Sequence, residues 1–367
     1  MIFIIVTLTI FIISPQLNGL PLHHTNWPQN RTSRYDWGSP SPSLMGKFKK
    51  AAVTCDHGLC SEIGRDILIK GGNAIDSSIA SLFCLGVTNP QSSGLGGEIG
   101  RDILIKGGNA IDSSIASLFC LGITNPQSSG LGGGFIMTLY NASTQRCIAI
   151  DARETAPLKA TQDMFHNDSA GSKYGWRAIA TPGEIAGYWK AFSNYGSGKI
   201  PWKDIVMPSV ELARNGVPIS EYLGNVLKVK EHHFLVTPSM KEWINPDTGA
   251  VYEHGDIIKR TKLADTLEEI ANSEDPVELF YHGKFAEIFA KEFEEYGGII
   301  SKEDLANYEP KVYETPLSSG KFNGDLVMCG PPPPASFAVA QAIIALGTKK
   351  YCDHSKAWNP IDAVSFD

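Results

Sequence analysis

The chain has 367 residues, of which 43% are apolar and 19% charged, and its formal net charge is −7. That balance is typical of a globular protein with a sizeable core, built as one large domain or two modest ones. The negative charge and the absence of a basic stripe argue against a nucleic-acid-binding protein, so no nucleic acid is expected as a partner.

The N-terminal region is predicted to be an export signal. Residues 1–13 are almost entirely apolar, and such a run is too short to cross a bilayer, which takes about 20 residues. We therefore predict a signal peptide over residues 1–19 and a secreted protein. The alternative is a short signal anchor that holds the protein at the extracellular face of the plasma membrane. Residues 20–46, rich in Pro, Ser, Asn and His, are predicted to be a loose leader.

A tandem duplication follows a predicted strand at residues 49–54. Residues 62–97 and 98–133 are two copies that differ only at Val87 and Ile123. A solenoid would show several diverged copies with capping units, so two near-identical copies indicate a recent duplication. We expect one copy to pack in the fold and the other to be extruded or mispacked.

Each copy is predicted to form a short helix and a longer one. In the first copy these cover Glu62 to Lys70 and Ala74 to Leu85. The longer helix has apolar residues at helical spacing, namely Ile75, Ile79, Leu82 and Phe83.

The segment after the second copy carries the most informative candidate residue, Arg153. A glycine turn, two strands and a polar run are predicted in order at residues 130–134, 135–140, 147–150 and 151–157. An arginine just past a buried strand, behind a flexible turn, can present a planar fork of donors to a small carboxylate. The alternative is a structural ion pair between Arg153 and Glu154 or Asp151.

The remaining segments alternate helical and strand patterns. Helices are predicted at 182–194, 201–214, 261–273, 284–296 and 336–346, and strands at 312–318 and 325–329. This pattern supports a mixed α and β fold in which helices cover a sheet.

Several motifs occur in register between residue 47 and residue 367. They include Gly107-Gly108-Asn109-Ala110-Ile111-Asp112, Gly130-Leu131-Gly132-Gly133-Gly134, Ala152-Arg153-Glu154-Thr155-Ala156-Pro157, Thr181-Pro182-Gly183-Glu184, Tyr281-His282-Gly283 and Pro331 to Pro334. Together they resemble the large subunit of gamma-glutamyltransferases, also called glutathione hydrolases. The resemblance implies an α+β fold, the αββα sandwich of N-terminal nucleophile hydrolases. That sandwich is expected to be incomplete here, with one sheet face lacking its small-subunit partner and exposing apolar residues.

The resemblance also implies a reaction and a role for Arg153. In that family a precursor cleaves itself, and the new N-terminal threonine of the small subunit attacks the γ-glutamyl amide of glutathione and related compounds. The arginine that matches Arg153 binds the α-carboxylate of the glutamyl group. No segment here matches the nucleophile, so we expect an inactive large-subunit portion whose partner is the small-subunit fragment. No metal or cofactor is implied.

The alternative function is non-catalytic: an exported homologue that acts by binding, such as a venom or glandular component. Rival nucleophiles are not convincing, because no Gly-x-Ser-x-Gly elbow is present. Cys55-Asp56-His57 shows only sequence adjacency, and Glu231-His232-His233 lacks the spacing of a zinc protease motif.

Cysteines and sequons fit an exported protein. Seven cysteines, an odd number, imply at least one unpaired or intermolecular thiol. The resemblance implies a bridge from Cys60 to Cys84, or to Cys120, its equivalent in the second copy; two separately buried thiols are the alternative. No partner is predicted for Cys55, Cys147, Cys329 or Cys352. N-glycosylation is predicted at Asn30, Asn141 and Asn167.

Overall fold

The computed structural model describes part of the chain, namely residues 2–4, 58–71, 77, 81, 95–318 and 328–342. The chain divides into two compact units. The main unit comprises Met1–Leu8 and Leu85–Ala342, and the second unit comprises Thr9–Cys84 and Ile343–Asp367. The predicted leader and the strand at 49–54 lie outside the described residues, and so does the predicted signal peptide apart from residues 2–4.

The helices and strands of the described residues are numbered here in chain order. They are β1 (Ile2–Ile4), α1 (Gly58–Ile69), α2 (Leu95–Ile105), α3 (Ala110–Thr124), β2 (Phe135–Asn141), β3 (Arg146–Ala152), α4 (Glu184–Tyr195), α5 (Trp202–Asn215), β4 (Val217–Pro218), α6 (Glu221–Val229), α7 (Glu231–Val236), β5 (Ile257–Ile258), α8 (Thr261–Asn272), α9 (Lys284–Glu295), α10 (Lys302–Ala306), β6 (Lys311–Tyr313), β7 (Leu317–Ser318) and β8 (Cys329–Gly330). Residues 337–342 are also helical. In the described part of the chain, no helix has the length and apolarity needed to cross a membrane.

An antiparallel sheet with the strand order β1-β2-β3-β6 forms the centre of the main unit. Strands β2 and β3 pair from Phe135 opposite Ala152 to Asn141 opposite Arg146, which confirms the two strands predicted before Arg153. The strand predicted at 312–318 is divided into β6 and β7. Pro316 lies between them, and proline cannot donate a ladder hydrogen bond.

Helices pack on one face of the sheet. Side chains alternate between faces along a strand, and Met137, Leu139 and Ile150 are buried on the helix side. Helix α3 is central to this core and packs against α2 and α5. The predicted helices at 182–194, 201–214, 261–273 and 284–296 are confirmed as α4, α5, α8 and α9.

The opposite sheet face carries Ile136, Thr138 and Tyr140 on β2. Tyr140 is 38% exposed, and Ile136 and Thr138 are half-buried. Ala149, which pairs with Thr138 on the same face, is fully buried. The face expected to lack its partner is therefore exposed at Tyr140 and covered at Ala149.

The boundary between the two units falls within the first copy, after Cys84. Helix α2, which begins in the last three residues of the first copy, and α3 of the second copy lie in the main unit, where Ile111, Ile115 and Phe119 are buried in its core. Helix α1 of the first copy lies in the second unit. The second copy is therefore the one packed in the main core. The predicted apolar face of the first copy lies outside the described residues.

Helices α1 and α2 begin before the predicted glutamates, at Gly58 and Leu95. Leu95-Gly96-Gly97 is helical, whereas the identical Leu131-Gly132-Gly133 forms a turn. The helical form is favoured by packing, because Gly96 lies against α3 and its carbonyl accepts a hydrogen bond from the Ser117 hydroxyl at 2.7 Å.

A disulfide joins Cys147 on β3 to Cys329 on β8, a pair that the sequence did not indicate. The predicted alternative bridge from Cys60 to Cys120 is wrong, because Cys120 is a free thiol within the core face of α3 and is fully buried. Cys84 lies outside the described residues, so the bridge from Cys60 to Cys84 stays a prediction.

Candidate functional site

A cleft of about 500 Å³ opens in the main unit beside the end of β3. One wall is the glycine loop, Gly130–Gly134, and the charged residues of the cleft are Arg153, Glu154, Glu184 and Arg260. The apolar part of the lining comes from α3 and α8, through Leu118, Phe119, Ile123, Leu263 and Leu267.

Arg153 follows β3 directly and is held through its backbone. Its N–H donates to the Asp151 carboxylate at 3.0 Å, and its carbonyl accepts from the Tyr308 hydroxyl at 2.9 Å. The Arg153 side chain is 52% exposed, and Nη1 of its guanidinium lies 3.1 Å from Oε2 of Glu154. Apart from this ion pair, the guanidinium has no hydrogen bond to a residue that the structure describes. Arg153 is therefore ion-paired with Glu154, as one of the two sequence interpretations expected, and it also lines the cleft.

The pair between Arg153 and Glu154 is weakly constrained. Oε2 of Glu154 is close enough for an ion pair but has no well-directed hydrogen bond to a described residue. Pairs between partly exposed charges contribute about 0–1 kcal/mol. The guanidinium has further N–H groups, so a ligand carboxylate could engage Arg153 while the contact with Glu154 remains.

The glycine loop lies tightly against the end of β3. Gly130 has a φ of +152°, which favours glycine. A Cβ added to Gly134 would lie 2.4 Å from the Ala152 carbonyl oxygen and 2.9 Å from the Glu154 nitrogen. The sequence prediction of a tight turn beside the strand that carries Arg153 is confirmed.

Glu184, the first residue of α4, anchors the glycine loop. Its side chain is nearly fully buried, and Oε1 accepts hydrogen bonds from the Gly130 N–H at 3.2 Å and the Ser129 hydroxyl at 3.3 Å. The backbone N–H groups of Gly183 and Glu184 both donate to the Gly133 carbonyl, at 2.8 and 3.1 Å. Burial raises the pKa of Glu184 to about 7. No lysine or arginine of the described part pairs with this carboxyl group.

Tyr308 and Tyr281 lie behind Arg153 as a stacked pair. Their ring centroids are 5.5 Å apart, and the rings are inclined by 13°. The Tyr281 hydroxyl donates to the Pro182 carbonyl at 2.9 Å. Both rings are buried, and burial raises the pKa of both phenols, so both remain hydrogen-bond donors at neutral pH.

Sequence reasoning named Arg153 but missed Glu184 and Tyr308 as parts of the site. Glu184 lies in the Thr-Pro-Gly-Glu motif, which by itself indicates no role for the acid, because an acid at a helix N-terminus is ordinarily a solvent-exposed partner of the helix dipole. Tyr308 lies 155 positions from Arg153, and no local pattern joins them.

The other candidates are engaged elsewhere. Arg260 is paired with Glu242 at 2.9 Å and lies over the Trp243 ring. The His232 and His233 rings lie against each other at a tilt of 40°, and His233 stacks on Tyr174. Within the described ranges, no cluster of three or more His, Cys, Asp or Glu side chains is arranged to hold a metal ion. Cys55-Asp56-His57 lies outside those ranges.

The family model for gamma-glutamyltranspeptidase matches residues 60–98 and again 98–362. The second match starts at the first residue of the second copy. The family pattern therefore restarts where the sequence repeats.

Curated relatives match most of this chain. It is 38% identical over 305 residues to Scoloptoxin SSD14 of Scolopendra dehaani, which covers 83% of the chain and 46% of that relative. It is 39% identical over 293 residues to glutathione hydrolase 2 of Arabidopsis thaliana, with 80% and 43% covered. The chain thus spans less than half the length of these relatives.

Solved structures show the same architecture. The gamma-glutamyltranspeptidase of Helicobacter pylori matches with a TM-score of 0.64 and 32% identity, over 70% of this chain and 72% of that one. The enzyme of Pseudomonas nitroreducens, complexed with L-DON, matches with a TM-score of 0.64 and 28% identity, over 72% and 77%. The fold is the α+β fold of these N-terminal nucleophile hydrolases, and the chain belongs to the gamma-glutamyltranspeptidase family.

Proposed function

We propose that this chain supplies the glutamyl-binding wall of a secreted gamma-glutamyltransferase that acts on glutathione and other γ-glutamyl compounds. Arg153 binds the α-carboxylate of the glutamyl group. A small-subunit partner provides the nucleophilic threonine, as the family resemblance implies. The observation that carries the proposal is the half-exposed guanidinium of Arg153 on the wall of the cleft.

The donor geometry supports a carboxylate ligand. A guanidinium offers five N–H donors in a fixed plane, and two of them can meet the two oxygens of one carboxylate. Among the described residues, the one contact to this guanidinium is that of Glu154 to Nη1, and it is loosely directed. The backbone of Arg153 is tied to Asp151 and Tyr308, so the side chain starts from a fixed point.

In the proposed reaction, the threonine hydroxyl of the partner attacks the γ-carbonyl carbon of the substrate. Its own α-amine accepts the hydroxyl proton and passes it to the departing amine as the amide bond breaks. A γ-glutamyl ester remains and is opened by water or by the amine of an acceptor. The role of this chain is to hold the glutamyl head group during both steps.

The test compares L-glutamate with L-isoglutamine, its α-amide, as ligands of the purified chain in calorimetric titrations. Wild type should prefer glutamate by about tenfold or more, since a charge-assisted bond contributes roughly 1.5–3 kcal/mol. Arg153→Lys should lose most of this preference, because a point charge cannot reproduce the fork. Arg146→Lys is the matched control, since Arg146 is equally exposed on the same hairpin and pairs with Glu314. Equal binding of both ligands by wild type would sink the proposal.

Export and glycosylation belong to the same proposal. Asn167 is exposed, and the Asn141 side chain accepts hydrogen bonds within the hairpin turn from the N–H groups of Ser143 and Thr144. Expression in a secretory host should yield protein in the medium whose mass falls on treatment with a glycosidase. Retention of the intact N-terminal residues 1–13 in the product would support the membrane anchor instead.

A second candidate function is binding without catalysis. It is favoured by the 38% identity to a relative that is named as a toxin. Release of the chromogenic amine from a γ-glutamyl anilide by the protein exported from its native source would support the enzyme. Glutamate binding with no release would support the non-catalytic homologue.

A further inference from the structure

We infer that Tyr308 is a positioning residue for Arg153: its hydroxyl fixes the peptide from which the carboxylate-binding guanidinium extends. The inference rests on the proposed function, and it assigns a role to a residue that no local sequence pattern singles out.

The first step is the contact itself. The Tyr308 hydroxyl donates to the Arg153 carbonyl at 2.9 Å, while the Arg153 N–H donates to Asp151. The backbone is thus held on both sides of the Arg153 Cα. The carbonyl belongs to the peptide that joins Arg153 to Glu154, so Tyr308 also sets the starting direction of the ion-pair partner.

The second step concerns the neighbours of this peptide. Thr155 and Thr181 exchange backbone hydrogen bonds of 3.2 and 2.9 Å, and Gly134 packs against Ala152. Both flanks of Arg153 are therefore fixed by backbone contacts. At Arg153 itself a side chain from elsewhere, Tyr308, makes the corresponding contact.

The third step is the rigidity of Tyr308. Its ring stacks on Tyr281, which is 1% exposed and is anchored to the Pro182 carbonyl. Gly183 leaves space for the Tyr308 hydroxyl, because a Cβ at that position would lie 2.1 Å from it. Because the Tyr308 ring is buried and stacks on a fixed neighbour, its hydroxyl is held in one place, from which it donates to the Arg153 carbonyl.

The helix before Tyr308 holds the next part of the same segment. At the start of α10, Ser301 and Asp304 form a capping box in which the Asp304 carboxylate accepts a hydrogen bond from the Ser301 N–H. The same carboxylate accepts a hydrogen bond from the Leu158 N–H at 2.6 Å. Residues 301–308 therefore contact the segment from Arg153 to Leu158 at both ends. The position of Arg153 depends on this distant part of the chain.

The test is Tyr308→Phe, which removes the hydroxyl and keeps the stacked ring. One net hydrogen bond corresponds to about 0.5–1.5 kcal/mol, or roughly a 2- to 13-fold change. We expect glutamate binding to weaken within that range and the preference for glutamate over isoglutamine to fall by a similar factor. A purely structural role would weaken both ligands equally and leave the preference unchanged.

The matched control is Tyr195→Phe. It removes the hydroxyl of a tyrosine that does not line the cleft and that donates to the Glu314 carboxylate at 3.1 Å. We expect it to keep the ligand preference. In the Arg153→Lys background, Tyr308→Phe should have no further effect on the preference.

The outcomes separate the two proposals. A preference that is lost in Arg153→Lys but intact in Tyr308→Phe removes only the positioning role, and so does an equal loss of preference in Tyr195→Phe. No preference in wild type removes the proposed function and this inference with it. If Tyr308→Phe does not fold, p-aminophenylalanine at position 308 restores a donor; a folded protein with that residue but without the preference would overturn the role.

Discussion

Glu184 accepts a hydrogen bond from the Gly130 N–H across 3.2 Å, and its own backbone N–H donates to the Gly133 carbonyl at 3.1 Å. One residue at the start of α4 therefore holds both ends of the glycine loop. The loop in turn packs on the backbone around Arg153 through Gly134. A buried carboxyl group thus supports the cleft wall from behind.

Glu184→Gln should change how stability depends on pH. The folded-state pKa of about 7 lies above the ordinary 4.5, so between these values the folded protein binds one proton more than the unfolded chain. Stability from this group is greatest below about pH 4.5 and falls by roughly 3 kcal/mol as pH rises to about 7. The variant stays neutral and should lack this fall. Urea unfolding at about pH 5 and about pH 8 measures it.

The control for that experiment is Glu287→Gln, since Glu287 is an exposed carboxylate paired with Lys302. It should keep the pH dependence of wild type. If the unfolding free energies of wild type and Glu184→Gln changed equally with pH, the raised pKa of Glu184 would be contradicted.

Gly134→Ala should destabilise the cleft, and Gly132→Ala should not. The added Cβ at Gly134 meets backbone at 2.4 Å, whereas at Gly132 it meets nothing within 4 Å. Overpacking of this kind costs about 1–3 kcal/mol, and the control should stay within about 0.5 kcal/mol of wild type. Thermal unfolding compares the two variants. Equal stability would mean that the loop moves freely away from β3.

Ile103→Ala and Ile67→Ala make the same change in the two copies. Ile103 is 1% exposed in the main unit, whereas Ile67 is half-buried in the second unit. Burial predicts a loss of about 2–5 kcal/mol for Ile103 and about 1 kcal/mol or less for Ile67. Unfolding of the two variants in denaturant measures these losses of stability. The opposite ranking would show that the first copy is the one packed in the core.

Reduction should loosen the attachment of β8. The Cys147–Cys329 disulfide closes a loop with a sequence separation of 182, and such bridges contribute about 2–5 kcal/mol. Cys147→Ser should lower stability by that amount, and a reductant should destabilise wild type more than the variant by the same amount. Cys120 is a suitable negative control for thiol labelling, because burial raises the pKa of this free thiol to about 12. A reductant effect of equal size in Cys147→Ser would exclude this bridge as the cause.

Local patterns predicted most of the elements that surround the site. Helices α8 and α9 follow from helical spacing, α4 follows from the proline at its start, and the hairpin that ends at Arg153 follows from two strand patterns behind a glycine turn. The missed features are contacts between distant positions. Nothing near Tyr308 indicates that its hydroxyl reaches Arg153, and nothing near Cys147 indicates Cys329. The burial of Glu184 depends on a loop that begins 54 positions earlier, so its raised pKa was not predictable from helix position alone.

Gly97 and Gly133 occupy the same position in the two copies, immediately before Glu98 and Gly134. Because their surroundings differ, selection acts unequally on these two glycines. Gly97 is helical with open space around its Cβ position, so alanine there would favour α2 by about 0.8–1.0 kcal/mol. Its twin Gly133 has the Gly130 oxygen at 3.2 Å and Glu184 Oε1 at 3.3 Å from that position, and alanine would crowd both. At this position, therefore, the first copy can accept a change that the second copy must reject, and we expect the near-identity of the two copies to be lost there first through substitution of Gly97.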